Sequence, residues 1–201
     1  HIIDKSAPVI TLTPEREIKT SIFKNDANEE ITKYWYNASN KNGIKVERSV
    51  TELEPYAGLK TVRYWVEADN EITQEDELYS FTETAPAYGD LRSRFETTIN
   101  VDPTINNSSN VVLYVEAVDN AGNATVSKIY MDIDITAPTV TVSYNNNSDN
   151  AGNSYFDKTR TATISITERS NHFNSDIAAK GIKITAVDVN GQNVENAYTV
   201  I

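Results

Sequence analysis

Apolar and polar positions alternate in twos along most of this chain, and the three-to-four spacing of helices is nearly absent. Residues 44–51 set Ile44, Val46 and Val50 on one face, and residues 60–68 do the same with Val62, Tyr64 and Val66. Residues 111–118 offer Val111, Leu113, Val115 and Ala117 to one side, and residues 126–134 read as their antiparallel return. Shorter strands are predicted at 9–12, 79–82 and 95–101. Turn residues separate these runs, which predicts a two-sheet antiparallel sandwich. Residues 70–78, rich in Glu and Asp, read as an acidic loop, and residues 15–33 read as an insertion. Further strands are expected at 139–144, 159–167, 180–189 and 195–201, with a polar surface loop at 145–153 and an Asn190-Gly191 hairpin turn.

Two signatures organise these strands. Asp119-Asn120-Ala121-Gly122-Asn123 is a tight turn whose Gly and Asn tolerate positive φ. The stretch Ile133-Asp134-Ile135-Thr136-Ala137-Pro138 repeats Ile3-Asp4-Lys5-Ser6-Ala7-Pro8, with Asp134 standing 130 positions after Asp4. Residues 163–169 likewise pair with 46–52 as the second strand of each copy. The chain therefore reads as one complete module, 1–135, and a second, 136–201, that lacks its last strands. An incomplete sandwich leaves an edge unpaired, so strand completion by another chain is one expectation.

Composition narrows the class. A chain of 201 residues with 39% hydrophobic and 9% aromatic content is ordinary globular material. No apolar run is long enough to span a membrane as a helix. The absence of cysteine fits an exported bacterial protein. A net charge of −11 argues against nucleic acid, whose phosphates need a basic face.

The Asp-Asn-Ala-Gly-Asn turn, the Asp-x-x-Ala-Pro joints and the alternating strand after each joint resemble the bacterial immunoglobulin-like repeats of large surface proteins and adhesins. Fibronectin type III is the nearest rival, but that family sets a corner Tyr six residues before Ala117, where this chain has Val111. The resemblance implies an immunoglobulin-like β-sandwich and extracellular placement on a bacterial surface, that of a Gram-positive cell. It implies a stalk or spacer role beside neighbouring modules of the same chain.

Catalysis finds no support in the residues. The histidines are His1 and His172, no Cys is present, and neither HExxH nor a glycine-rich phosphate loop appears. The sharpest chemical candidate is acidic. Asp132 and Asp134, two apart on a strand, share a face, and Asp119 sits on the turn before that strand. Carboxylates are the hard ligands calcium takes, and the resemblance permits calcium-stiffened joints; no cofactor is otherwise required. The plain alternative is that these Asp and Asn side chains bond to turn backbone. A strand that runs the length of the module places Asp119 and Asp134 at opposite ends, which argues against a shared ion.

Aromatics supply the competing function, an adhesive module that recognises a glycan or host protein through Trp35, Trp65 and Tyr36. Alternation sets Trp35 against Tyr34 and Tyr36, and Trp65 against Tyr64. Cross-strand packing of these rings is the structural alternative. A self-made isopeptide bond, known in some Gram-positive surface domains, needs a buried Lys, and every inward position assigned here is apolar.

Overall fold

The computed structural model describes residues 3–54, 57–76, 78–81, 92–144, 162–168, 185–187 and 193–195. Contacts divide the chain into two compact units, His1–Thr136 and Ala137–Ile201. The described residues form strands, with one 3-10 turn at Ala38–Asn40.

The first unit holds β1 (Val9–Pro14), β2 (Lys19–Lys24), β3 (Glu30–Asn37), β4 (Ile44–Thr51), β5 (Leu59–Ala68), β6 (Glu71–Glu75), β7 (Tyr79–Ser80), β8 (Arg94–Val101), β9 (Val111–Asp119) and β10 (Ala124–Asp134). Three strands make one sheet in the order β1-β4-β8. The other sheet runs β2-β3-β10-β9-β5-β6, with β7 also on β5. Only β3 against β10 is parallel among these pairings.

The period-two pattern drives this arrangement. Ile44, Val46 and Val50 of β4, with Phe95, Ile99 and Val101 of β8, are buried. They share one core with Val62 and Val66 of β5, with Val111, Leu113, Val115 and Ala117 of β9, and with Ile129, Met131 and Ile133 of β10. Burying each such side chain contributes about 1.5–3 kcal/mol, so this core is the dominant stabilising term.

Residues 15–33, read as an insertion, hold β2 and the start of β3, a hairpin that widens the larger sheet. One reading of the sequence is corrected. Glu71–Glu75, within the expected acidic loop at 70–78, form strand β6 instead. Asp69 and Asn70 both adopt positive φ, 53° and 69°, and turn the chain so that β6 pairs back onto β5.

In the second unit β11 (Thr139–Tyr144) pairs with β12 (Ala162–Thr167), and β13 (Thr185–Val187) with β14 (Asn193–Glu195), all antiparallel. The first pairing repeats the first unit. Val9 faces Thr51 and Pro14 faces Val46, while Thr139 faces Thr167 and Tyr144 faces Ala162. Ser165-Ile166-Thr167-Glu168 thereby matches Ser49-Val50-Thr51-Glu52. This moves the sequence-based match of 163–169 with 46–52 by one residue. The expected loop at 145–153, His172, Asn190-Gly191 and the strand at 196–201 lie outside the described residues.

One core position is charged. Arg48 lies on the inward side of β4 with only 2% of its surface exposed. Its Nε and Nη2 donate to Thr97 Oγ1 at 3.0 and 2.8 Å, and Nη2 stands 3.5 Å from Asp76 Oδ2. The rings of Tyr64, Tyr79 and Phe95 surround the guanidinium at 5.2–5.7 Å. Asp76 also accepts from the Tyr64 amide at 2.8 Å and so extends the pairing of β6 with β5. Burial lowers the Arg48 pKa and raises that of Asp76, so desolvation outweighs their mutual attraction. The pair is therefore costly to break rather than strongly stabilising. Asp76→Ala is expected to cost about 3 kcal/mol in denaturant unfolding, whereas replacing both partners by apolar residues costs far less.

Candidate functional site

The two sequence signatures meet at one end of the first unit. In the Asp119 turn, Asp119 Oδ1 accepts from the Asn123 amide at 2.8 Å and Oδ2 from Asn123 Nδ2 at 2.7 Å. Gly122 takes φ of 89°, which closes the turn. The turn docks on the start of β5, where Asn120 N donates to the Gly58 carbonyl at 2.9 Å and Asn120 Nδ2 to that of Ala57 at 3.2 Å. Asp4 enters from the N-terminal segment. Its Oδ2 accepts from the Ala57 amide at 2.8 Å, its Oδ1 from the Ser6 amide at 2.9 Å, and its carbonyl from Asn123 Nδ2 at 3.4 Å. The Asp of the joint thus ties the incoming chain to the unit that follows it.

Glu52, just past β4, completes the group. Carboxylate oxygens of Asp4, Glu52 and Asp119 all lie within 4.8 Å of one another. Asp119 is fully buried, and Glu52 Oε1 is buried with no hydrogen-bond partner. Burial, then the charges of Asp119 and Asp4, push the Glu52 carboxyl up to about 7. Three acids this close repel one another unless a proton or a cation intervenes. Calcium binds oxygens at about 2.3–2.6 Å, so opposed ligands stand about 4.8 Å apart, and this trio has the donor type and spacing to hold it.

As the strand length predicts, Asp119 does not group with Asp132 and Asp134. Asp119 pairs with Leu59 at one end of the unit, whereas Asp132 and Asp134 pair with Trp35 and Asn37 at the other end of β10. An eleven-residue strand separates the ends, about 33 Å at 3.3 Å per residue. Asp132 is 3% exposed. Asp134 Oδ1 accepts from the Thr136 amide at 3.0 Å, as Asp4 does from Ser6. Asn107 Oδ1 accepts from the Ile135 amide at 3.2 Å, and Asn107 Nδ2 donates to Thr136 Oγ1 at 3.0 Å, so the β8–β9 loop straps the exit of β10. Asp4 and Glu52 were missed as partners of Asp119. The equivalence of Asp4 with Asp134 was the available signal, since it places a joint Asp at each end of the unit.

The aromatic candidates separate. Tyr36 is 2% exposed and belongs to the core, so it cannot contact a ligand; its inward phase on β3 is the reason. Trp35 and Trp65 take the outer face. Trp65 stacks on Tyr114 at 4.9 Å and 5°, and its Nε1 donates to Glu67 at 3.0 Å. Trp35 Nε1 donates to Ser21 Oγ at 2.8 Å, with the Lys19 ammonium 4.0 Å above the ring. These ring faces are occupied by neighbours on adjacent strands.

The Glu52 shift fixes a sign. The folded-state pKa lies above the unfolded value, so the folded state holds this proton more tightly. That stabilisation is full below about 4.5 and is lost as pH rises through about 7. Melts are expected to show about 1–2 kcal/mol less stability at pH 8 than at pH 5, after discounting for the part of the side chain that water reaches. Glu52→Gln flattens this slope. Calcium added at pH 8 is expected to reverse the loss in the native sequence alone, and an unmoved melt removes the trio as a metal site. No protein-family model matches the chain, and no curated protein matches it.

Proposed function

We propose that this chain is a non-enzymatic, immunoglobulin-like segment of a large extracellular bacterial surface protein, serving as a spacer that positions a functional domain elsewhere. The observation that carries the reading is the repeated register. β11 and β12 reproduce the β1–β4 pairing, each following an Asp-x-x-Ala-Pro joint. Strand order supports the fold part of the reading. On this reading β1, β4 and β8 take the roles of strands A, B and E of an immunoglobulin sandwich, and β5, β9 and β10 those of C, F and G. β3 lies parallel on β10, in the sheet opposite β1.

A spacer needs firm ends, and each end of the first unit holds its own entering or leaving chain in place. Asp4 is bonded into its base, and Asn107 grips the chain leaving its far end. Pro8 and Pro138 limit backbone freedom at the joints. The competing adhesive reading through Trp35 and Trp65 is weakened by the covering of their ring faces.

Single-molecule pulling tests the proposal. The first unit is expected to resist force and then release in one event, freeing about 450 Å of contour from some 130 residues. Gradual extension without a peak would remove the mechanical role. On a glycan array the chain is expected to stay silent; binding that Trp65→Ala abolishes would move the assignment to adhesion.

A further inference from the structure

The outer face of the larger sheet carries an order that register makes explicit. One row runs Lys33 on β3, Tyr130 on β10, Val112 on β9, Glu67 on β5 and Ile72 on β6. The next runs Lys128 on β10, Tyr114 on β9, Trp65 on β5 and Glu75 on β6. Both rows pass from cation through aromatic or apolar residues to carboxylate, in the same direction across the sheet. The remaining charges are of mixed sign. Arg63 is paired with Glu116 at 2.7 Å, Lys19 and Asp132 flank Trp35, and Glu29 contributes to the field at Lys128.

We infer that this face pairs two copies of the chain side by side, related by a two-fold axis that lies in the interface parallel to the strands, near β9. That rotation reverses the rows while keeping strand direction, so the Lys33 and Lys128 side of one copy meets the Glu67 and Glu75 side of the other. A two-fold axis across the strands would set cation on cation and is disfavoured. The centre of the contact is Tyr130, Tyr114 and Trp65, with the exposed Ile72 at its edge on β6, an aromatic and apolar patch of the kind interfaces use.

The ring geometry favours a protein surface over a sugar. Trp65 and Tyr114 stack on each other, Phe23 meets Tyr130 edge-on at 5.3 Å, and Lys128 lies over both tyrosines. A stacking sugar needs a bare ring face, whereas this surface presents ring edges and charges. Six strands about 4.8 Å apart, over about six residues of 3.3 Å, give about 570 Å² per copy. Some 1,100 Å² in all is the size of a weak, reversible interface. The pairing goes beyond the spacer role, which holds whether or not copies touch.

Sedimentation of the full chain from micromolar to millimolar concentration tests it. The expected result is a reversible shift from monomer to dimer that weakens with added salt. Lys128→Glu and Glu75→Lys, both at exposed positions, are each expected to weaken pairing at least ~10-fold with unchanged dichroism. Mixing the two variants is expected to restore it, since each supplies the charge the other lost. A monomer at every concentration, pairing indifferent to both substitutions, or a mixture that fails to recover overturns the inference. Retention on sulfated or neutral glycan beads that either substitution abolishes would overturn it too, by giving the face to carbohydrate.

Discussion

The hairpin of β9 and β10 is the constraint on which the first unit depends. Its two strands pair through eight registered positions and lie at the centre of the larger sheet, with β3 on one flank and β5 on the other. Their inward residues fill the middle of the core, and their register sets the length of the unit. Because the turn Asp119–Asn123 closes one end and Asp134 leaves the other, fixing this hairpin fixes where the chain must enter and exit. The joint residues then need only short bonds to lock onto surfaces already placed.

Polar groups inside this unit are spent at its ends and along one side. Asp119 is buried, yet both its oxygens accept bonds from Asn123, which satisfies the turn internally. Arg48 closes the side between β4, β6 and β7 with aromatic rings on three sides, where an apolar residue would have left Asp76 unpaired. The base is different in kind. Asp4, Glu52 and Asp119 place three acids together, and the elevated Glu52 carboxyl is the strain that this arrangement carries. A structure that needed only turn bonds would have no reason to bring Glu52 to the other two.

Much of this was legible in the alternation of side chains. β4 and β11 have the bounds their patterns predict, since β-branched residues recur at every second position, Arg48 of β4 being the exception. The hairpin of β2 and β3 was not legible, because Lys19, Ser21, Lys24 and Lys33 dilute the apolar signal on strands whose outer face is covered by rings rather than by core. β6 was hidden by its acids: an edge strand facing solvent on most sides needs little apolar character, and the deciding signal was the Asp69-Asn70 turn. The acidic base was the least legible feature. Residues 4, 52 and 119 come together through strand pairing and the bonds that dock Asp4, and beyond the equivalence of Asp4 with Asp134 no spacing in the sequence encodes it.

The outer face shows why a motif of exposed aromatics misleads when read from sequence. Alternation correctly turns Trp35 and Trp65 away from the core, but outward is not the same as available. On a sheet six strands wide, neighbouring strands stand close enough for rings to stack on each other and for Lys19, Lys33, Arg63 and Lys128 to lie over them. Each ring so covered contributes to the folded state of its own sheet, and each cation so held loses little further freedom when it meets a carboxylate from elsewhere. A face built this way is held in place and chemically ordered. Those properties suit recognition of another ordered protein surface better than the stacking of a flexible sugar.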